Sequence, residues 1–305
     1  MRLGILSDTR CPTLPYGGHG LARVACDLAA GLAAKGHKTF LYAGPGSKAP
    51  ADVILAMHAD EVTRISAIDF GSADAWLDLS HYHALSERRP DVKQAHYIMD
   101  DECAIEPINT IVGSAFRQRQ FPVSEVVPLG IDTSAIPFNA KGGAGLLFVA
   151  KMDYRKGWDI ALEVAQKAAR ELTMYGELFL PPGMDAPDQW RGTIDDNDTL
   201  YKTLGAAFAF LAPYRDDAGG RVLLEAQAAG TPVLTFGDVG CVSHVGHAVS
   251  GFAVLNDVEM IEALADVPYL KREQVREWVI ANHDISIMIA GIESLLIRAA
   301  EGERW

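Results

Sequence analysis

The sequence is poor in cysteine and has no long hydrophobic run. Its cysteines, Cys11, Cys26, Cys103 and Cys241, are scattered, with no C-x-x-C pair among them. This spacing argues against a zinc knuckle and against a disulfide framework, and it fits a reducing compartment. No segment approaches the ~20 apolar residues of a membrane span, and Asp8 and Arg10 follow the apolar start too soon for a signal peptide. We therefore expect a cytoplasmic protein with no stable membrane insertion and no metal site.

Positive charge is also scarce. Against 40 acidic residues the chain carries 27 lysines and arginines, which gives a formal net charge of -13. Nonspecific binding to nucleic acid or to anionic membranes depends on clustered basic residues. Neither partner is expected, and any phosphate site has to be local. With 305 residues, 49% of them hydrophobic, the chain can bury a substantial core and is long enough for two domains.

Short apolar strands alternate with amphipathic segments from the start of the chain. Residues 3–7 predict a buried strand, a turn rich in glycine and proline follows, and a helix ends at Gly36 before a second strand at residues 37–42. A strand, helix, strand unit crosses over right-handed, which implies a parallel sheet. Further strands are predicted at residues 53–56, 75–79, 96–99, 109–112 and 125–127.

The alternation restarts after a flexible stretch at residues 136–145. Residues 285–300 have apolar side chains at helical spacing and predict a long amphipathic closing helix. We predict an α/β fold of two doubly wound domains. The first comprises residues 1–137, onto which a C-terminal helix at about 286–305 packs back, and the second comprises residues 138–285. In the second half we predict strands at residues 146–150, 172–175, 207–212 and 233–236, and helices at residues 158–170 and 222–229.

The first candidate site is the loop at residues 16–20, Tyr-Gly-Gly-His-Gly, between the first strand and the first helix. Gly17 and Gly18 let the backbone approach a ligand, and the helix N-terminus favours an anion. A tight turn without a ligand explains the same residues. The glycine spacing departs from the dinucleotide fingerprint, and no acidic residue clearly ends the second strand, so a hydride-transfer enzyme is disfavoured.

The second candidate site is a group of cations, Lys151, Arg155 and Lys156, between a strand and a helix. This local positive charge is informative in so acidic a chain. Lys151 and Lys156 are placed to neutralise a pyrophosphate leaving group, where charge develops in the transition state. The alternative is a solvated basic turn.

The third candidate site is the segment at residues 212–233. Asp217 lies in a loop, and Glu225 follows about two helical turns later. One carboxylate can therefore bond sugar hydroxyls while the other bonds ribose hydroxyls. Gly219 and Gly220 expose backbone N–H groups between them. The alternative for Asp217 is a helix-capping or loop acid.

In this order the motifs resemble the retaining glycosyltransferases of the GT-B fold, specifically glycosyltransferase family 4, also called group 1. The resemblance covers nearly the whole chain, and residues 126–132, Val-Val-Pro-Leu-Gly-Ile-Asp, are similar to the family's segment just before the linker. It implies two Rossmann-like domains with an interdomain cleft and a donor site mainly in the second domain. It further implies that Lys151 and Lys156 bind the diphosphate, that Glu225 binds the ribose and that Asp217 touches the donor sugar.

The resemblance also assigns roles to backbone amides and to one histidine. Gly219 and Gly220 would offer amides to the sugar or the phosphate, while Gly17 and Gly18 would close over the phosphates from the first domain. His96 lies in a position similar to a family histidine near the transferred sugar, although a lone histidine is more often structural. Asp217 stands where the family usually has Glu, and Lys151 where it usually has Arg. Three acidic residues, Asp100, Asp101 and Glu102, follow closely in the sequence. Two interpretations are open for them: they bind the acceptor, or they form a solvated loop.

We therefore predict a metal-independent retaining glycosyltransferase, of the hexosyl- or a related class, with Asp217, His96 and Lys156 as its catalytic residues. The donor is a UDP- or GDP-linked sugar, no cofactor is needed, and the acceptor is a soluble small molecule or glycan. The sequence leaves the donor sugar, the acceptor and the oligomeric state open. Two alternatives remain: a sugar-nucleotide epimerase or phosphorylase of the same fold, and a noncatalytic nucleotide-sugar-binding protein.

Overall fold

A computed structural model describes residues 1–17, 19–56, 60–99, 106–216 and 220–305. Its strands are β1 (Arg2–Leu6), β2 (Lys38–Ala43), β3 (Val53–Ala56), β4 (Ala75–Asp78), β5 (Gln94–Ile98), β6 (Thr110–Val112), β7 (Glu125–Val126), β8 (Leu146–Val149), β9 (Leu172–Tyr175), β10 (Ala209–Ala212), β11 (Val233–Phe236) and β12 (Gly251–Val254). Its α-helices are α1 (Gly20–Ala34), α2 (Glu61–Ala67), α3 (Ala84–Arg88), α4 (Ala115–Gln118), α5 (Trp158–Lys167), α6 (Asn197–Gly205), α7 (Arg221–Ala228), α8 (Asp257–Ala263), α9 (Arg272–His283) and α10 (Ile285–Ala300).

The chain divides into two compact units. Unit 1 comprises Met1–Ile131 and Ile285–Trp305, and unit 2 comprises Asp132–Asp284. Residues 132–137, which the sequence analysis placed with the first domain, group with unit 2. The reason is visible at Arg276, whose guanidinium donates to the carbonyls of Thr133 (2.9 Å) and Ile136 (2.8 Å).

Unit 1 is built on a parallel sheet with the strand order β3-β2-β1-β4-β5-β6-β7. Several of its strands are buried along almost their whole length, as expected for a parallel sheet covered on both faces. The strand order reverses between β1 and β4. In open α/β sheets ligands bind at such a switch point, outside the carboxyl ends of the strands.

One aromatic cluster explains how β1 and β4 pack. Gly4 and Trp76 are register partners, and a Cβ at Gly4 would lie 2.3 Å from the Trp76 ring. Glycine is therefore the residue that lets the indole lie against β1. The buried Trp76 ring also contacts Phe70 (4.8 Å between centroids) and Tyr42 (5.4 Å), which adds packing energy beyond the apolar area buried.

The closing helix α10 has the bounds that the sequence predicts. It packs on α1, β4 and β5 within unit 1, where Gly31 makes room for Ile289, whose Cδ1 would lie 2.0 Å from a Cβ at residue 31. Beyond α10, Trp305 donates its backbone N–H to Asn109 and its indole N–H to the Thr110 carbonyl, both at 3.0 Å. The chain terminus thus lies along β6.

Unit 2 is built on a second parallel sheet with the order β12-β11-β10-β8-β9. Here the strand order reverses between β8 and β10, which makes the loops after these two strands the expected ligand-binding region. The predicted α/β class with two parallel sheets is confirmed. The sequence analysis missed α6, α8, α9 and β12, and it began one strand at His96, which instead lies in the middle of β5. Within the described residues no helix is both long and apolar enough to cross a bilayer.

Candidate functional site

The loop after β8 carries the predicted cations of unit 2. Asp153 caps a 3-10 turn, Tyr154–Lys156, by accepting a hydrogen bond from the Lys156 N–H (3.1 Å). Gly157 follows in the left-handed region with φ 66°, and α5 begins at the next residue. The Lys156 ammonium lies 5.2 Å from the centroid of the Tyr214 ring, within the range of a cation–π interaction. Lys156 therefore lies where the loop after β8 meets the loop after β10.

The loop after β10 is fastened to that turn by Arg215. Its guanidinium donates to both carboxylate oxygens of Asp159 (2.8 and 2.7 Å) and to the Tyr154 carbonyl (2.7 Å), while its backbone N–H donates to the Arg155 carbonyl (2.7 Å). The hydrogen bonds that Arg215 donates to Asp159 raise the pKa of Arg215. Burial opposes ionisation of Asp159, but the Arg215 fork holds the pKa of Asp159 below its ordinary value. Arg215 thus joins the two loops at the switch point. No local sequence pattern predicts this contact.

Gly157 permits a close approach between these two loops. A Cβ at this position would lie 2.0 Å from the carbonyl oxygen of Pro213, and the φ of 66° is itself unfavourable for other residues. The Gly157→Ala variant should therefore lose about 2 to 3 kcal/mol of unfolding free energy, measured by urea titration. Gly183→Ala is the matched control, because Gly183 also has a positive φ of 83° but no described atom lies within 4 Å of its Cβ position.

The control should lose about 1 kcal/mol, the cost of the left-handed backbone alone. Equal losses in Gly157→Ala and Gly183→Ala would contradict the close approach of the two loops.

Lys151 lies beside a different aromatic ring. It is exposed, and its ammonium is 5.2 Å from the centroid of the Phe179 ring in the loop after β9. Phe179 is half exposed. The sequence analysis did not single out this phenylalanine, because one aromatic residue in a loop forms no motif.

The N-terminus of α7 is held by close packing around Gly220. Its φ is 54°, and a Cβ there would come within 2.8 Å of Cys241 Cβ and 3.2 Å of His244 Nδ1. Glycine is therefore needed both for the backbone conformation and for the approach of the 3-10 turn Gly240–His244. This packing fixes the direction in which the first N–H groups of α7 point.

Glu225 lies on the buried face of α7. Its side chain is 1% exposed, and its Oε1 accepts a hydrogen bond from Nε of Arg221 at 3.0 Å. Arg221 is itself 9% exposed, so the ion pair is nearly enclosed. The i, i+4 spacing on a helix is the sequence signal for such a pair, and the sequence analysis did not use it. With 1% of its side chain exposed, this carboxylate can be reached by a ribose only if the groups around it move, and the predicted ribose contact stays a prediction.

Several predicted site residues lie outside the described residues. They are Gly18, Asp217 and Gly219, together with Ala218 and the acids Asp100, Asp101 and Glu102. The roles predicted for them stay predictions.

In unit 1 the loop after β1 contains Gly17, with φ 95° and no described atom within 4 Å of its Cβ position. The loop is anchored where Ser7 Oγ bonds Thr13 Oγ1 (2.8 Å) and where the Thr13 N–H donates to Ser47 Oγ (2.8 Å). Gly17 is thus required by its backbone conformation and lies in open space, which is the setting that the predicted close approach of a ligand needs.

His96 is enclosed in the interior of unit 1. Its side chain is fully buried, its Nε2 is 2.7 Å from Gln94 Oε1, and its Nδ1 is 3.4 Å from His83 Nδ1 and 3.6 Å from Asp78 Oδ2. Burial lowers the pKa of His96 to about 3 against the opposing charge of Asp78, so the ring is neutral at neutral pH. Since the ring has no exposed surface, a sugar could contact it only if neighbouring groups moved, and the predicted sugar contact stays a prediction.

A second buried histidine makes the stability of unit 2 depend on pH. Burial lowers the pKa of His244 to about 3, and the neighbouring His283 ring, 5.3 Å away, adds to this effect. In the unfolded chain a histidine titrates near 6.5. Below that pH the unfolded state therefore binds a proton that the folded state rejects, so the free energy of unfolding falls as the pH drops from about 6.5 toward 3.

We expect a slope of about 1 kcal/mol per pH unit from His244 in this window, and none above it. Urea unfolding of the wild type and of the His244→Gln variant between pH 7 and pH 5 measures the difference. The control is His247→Gln, since His247 is exposed. Parallel pH profiles for the wild type and His244→Gln would show that His244 is not the responsible group.

A cavity of about 460 Å³ in unit 2 is lined in part by Arg215 but by none of the predicted site residues. Its lining includes Glu163, Asp238 and Asp257. This acidic lining disfavours a diphosphate, so we do not place the donor there.

Comparison with known protein families finds a match within unit 2. A family described as "Glycosyl transferases group 1" matches residues 143–267, a range that contains Lys151, Lys156, Gly220 and Glu225. No curated protein is significantly similar in sequence.

Solved structures match the whole chain. AviGT4, a glycosyltransferase involved in avilamycin A biosynthesis, is 19% identical with a TM-score of 0.78, over 100% of this chain and 99% of its own. Sucrose-phosphate synthase from Thermosynechococcus elongatus is 15% identical with a TM-score of 0.78, over 99% and 100%. HepE of Anabaena in complex with UDP-glucose is 12% identical with a TM-score of 0.74, over 96% and 99%. These matches confirm the predicted GT-B fold.

Proposed function

We propose that this protein is a retaining glycosyltransferase that uses a UDP- or GDP-linked sugar as its donor. The observation that carries the proposal is the switch point of unit 2, where Arg215 joins the loop bearing Lys156 to the loop that leads into α7. A cation and the N-terminus of a helix on adjoining loops provide the positive potential that a diphosphate requires. The match of residues 143–267 to a glycosyltransferase family supports the same reading.

In the proposed reaction, negative charge develops on the departing diphosphate at this switch point. The bond between the anomeric carbon and the diphosphate oxygen breaks, and its electron pair stays on that oxygen. Lys156, Lys151 and the N–H groups at the start of α7 stabilise the developing negative charge. The acceptor hydroxyl forms its bond to the anomeric carbon on the face that the diphosphate leaves, and its proton passes to the departing phosphate oxygen.

Donor recognition is the proposed role of Glu225, whose carboxylate would accept hydrogen bonds from the ribose hydroxyls. The hydrogen bond from Arg221 Nε orients this carboxylate on α7. HepE binds UDP-glucose, which makes UDP-glucose the first donor to test. Asp217, Gly219, Gly17 and Gly18 keep their predicted roles in this proposal.

Slow donor hydrolysis tests the proposal without a known acceptor, since water replaces the acceptor hydroxyl. The protein is incubated with UDP-glucose and separately with GDP-mannose, and proton NMR follows the nucleoside diphosphate and the anomer of the sugar first released. We expect nucleoside diphosphate with the α anomer from an α-linked donor. The β anomer would refute retention.

The same spectra separate the alternatives. An epimerase would change the sugar while it remains linked to the nucleotide, and no nucleoside diphosphate would appear. A noncatalytic binding protein would be stabilised against heat by UDP or GDP and would release nothing. Either result would overturn the proposed transfer.

A further inference from the structure

Three potential metal ligands of unit 1 meet where β4 ends beside β5. They are Asp78, the last residue of β4, His83, which precedes α3, and His96 in β5. Asp78 and His96 are register partners on adjacent strands, and one ligand atom from each of the three residues lies within 4.8 Å of the others. All three side chains are buried. The sequence alone does not reveal this cluster, because only the pairing of β4 with β5 brings Asp78 and His96 together.

The distances within this cluster fit a tetrahedral ion. Metal bonds of about 2.0 to 2.2 Å to histidine nitrogen and carboxylate oxygen place two ligand atoms of a tetrahedron about 3.3 to 3.5 Å apart. Here the Nδ1 atoms of His83 and His96 are 3.4 Å apart, and His96 Nδ1 is 3.6 Å from Asp78 Oδ2. Two of the three ligand pairs are thus at tetrahedral spacing, and the ligand atoms of the third pair, His83 and Asp78, lie within 4.8 Å of each other.

The hydrogen bonds of His96 direct a lone pair into the cluster. The side-chain NH2 of Gln94 donates to the carbonyls of Arg89 (2.8 Å) and Val92 (3.1 Å), which leaves its Oε1 as the acceptor facing His96 Nε2 at 2.7 Å. Nε2 must then carry the proton, and Nδ1 presents a lone pair toward Asp78 and His83. An amide oxygen behind a histidine in this way is the usual partner of a metal-binding imidazole.

Asp78 is arranged in the same manner. Its Oδ1 accepts hydrogen bonds from the N–H (2.9 Å) and the hydroxyl of Ser80. Its Oδ2, which points to His96, is buried and has no hydrogen-bond donor among the described residues. A buried carboxylate oxygen facing an imidazole lone pair is electrostatically unfavourable unless a cation lies between them.

The backbone at His83 adds a further indication. Its φ of 49° is left-handed, a conformation that costs a residue other than glycine about 1 kcal/mol. This conformation brings its ring to 5.3 Å from the His96 ring, measured between centroids. Strain of this kind is often retained where a side chain has to point at a ligand.

We propose that Asp78, His83 and His96 bind a zinc ion that joins the turn after β4 to β5. The ion would be structural, since the ligands are enclosed, with a water as its fourth ligand, and it would support the carboxyl end of β4 beside the switch point of unit 1. The alternative to a zinc ion is that Arg64 neutralises Asp78. The buried guanidinium of Arg64 lies near enough to Asp78 to favour the charged carboxylate.

Cobalt substitution tests the site directly. The full-length protein, stripped with a chelator and confirmed as folded by circular dichroism, is titrated with Co²⁺, and the visible d–d absorption of four-coordinate cobalt is recorded. We expect one cobalt per chain and displacement by Zn²⁺. Asp78→Asn and His83→Gln should abolish the signal. Gln94→Ala should weaken metal affinity about 10- to 100-fold, because it removes only the orienting amide.

The matched control is His244→Gln, which alters the other buried histidine pair, His244 and His283, in unit 2. It should bind cobalt like the wild type. Absence of cobalt binding by the folded wild type would overturn the proposal and favour neutralisation of Asp78 by Arg64. Unchanged binding in folded Asp78→Asn or His83→Gln would overturn it as well. If these two variants fail to fold, the cobalt spectrum of the wild type and the cobalt affinity of Gln94→Ala still test the proposed zinc site.

Discussion

Replacing Lys156 with methionine should lower kcat for the release of UDP from UDP-glucose by about 10²- to 10³-fold, the usual cost of losing one group that stabilises transition-state charge. Methionine keeps much of the aliphatic length and removes the ammonium. The N–H of residue 156 still bonds Asp153, so the turn should persist. Steady-state kinetics on the purified variant, with its folding verified by circular dichroism, measure the effect.

Arg155→Met is the matched control for this variant. Arg155 is a cation on the same turn, but its side chain is 67% exposed and pairs with Asp153. Its carbonyl, which accepts from Arg215, is not altered by the substitution. We expect kcat within about twofold of the wild type, as for most surface changes. A similar loss in both variants would mean that general positive charge, and not the position of Lys156, supports turnover.

The Glu225→Ala variant should lose about 3 to 5 kcal/mol of unfolding free energy, because it removes the carboxylate that the nearly enclosed Arg221 bonds at 3.0 Å. Glu225→Ala protein that remains folded should also bind UDP-glucose more weakly, by about 1.5 to 3 kcal/mol, because a charged acceptor for the ribose is lost. Urea unfolding measures the first effect, and calorimetric titration measures the second.

Two further variants separate these effects. Glu225→Gln keeps the shape of the side chain and one acceptor oxygen, so this variant should be more stable than Glu225→Ala. It should still bind the donor more weakly than the wild type, because the charge is lost. Glu163→Ala breaks an exposed i, i+4 pair with Lys167 on α5 and should cost no more than about 1 kcal/mol. Wild-type donor affinity in folded Glu225→Gln and Glu225→Ala would remove Glu225 from the donor site.

The alternation of strands and helices was predictable because each of these elements has a local sequence pattern. Continuous apolar runs mark buried parallel strands, the spacing in residues 285–300 marks α10, and Gly36 marks the end of α1. The same local signals place Lys156 after a strand and Glu225 on a helix. They did not reveal β12 or α6, which are four and nine residues long.

The contacts that shape the candidate site were not predictable in this way. The cluster of Asp78 and His96 depends on the register of β4 against β5, and the fastening by Arg215 depends on two loops about 60 residues apart. Such pairings are set by the packing of the whole sheet, and a single sequence holds no local record of them. Arg221 and Glu225 are the exception, because their spacing of four residues on a helix could have revealed the pair.

Calorimetric titration of UDP and GDP into the wild type, Lys156→Met, Glu225→Gln and Arg155→Met tests the central claim most directly, namely that the switch point of unit 2 binds the nucleoside diphosphate of the donor. We expect one site per chain for at least one of the two nucleotides, about tenfold or more weaker binding in Lys156→Met, weaker binding in Glu225→Gln, and unchanged binding in Arg155→Met. The claim is contradicted if the folded wild type binds neither nucleotide, or if Lys156→Met and Glu225→Gln bind as tightly as the wild type.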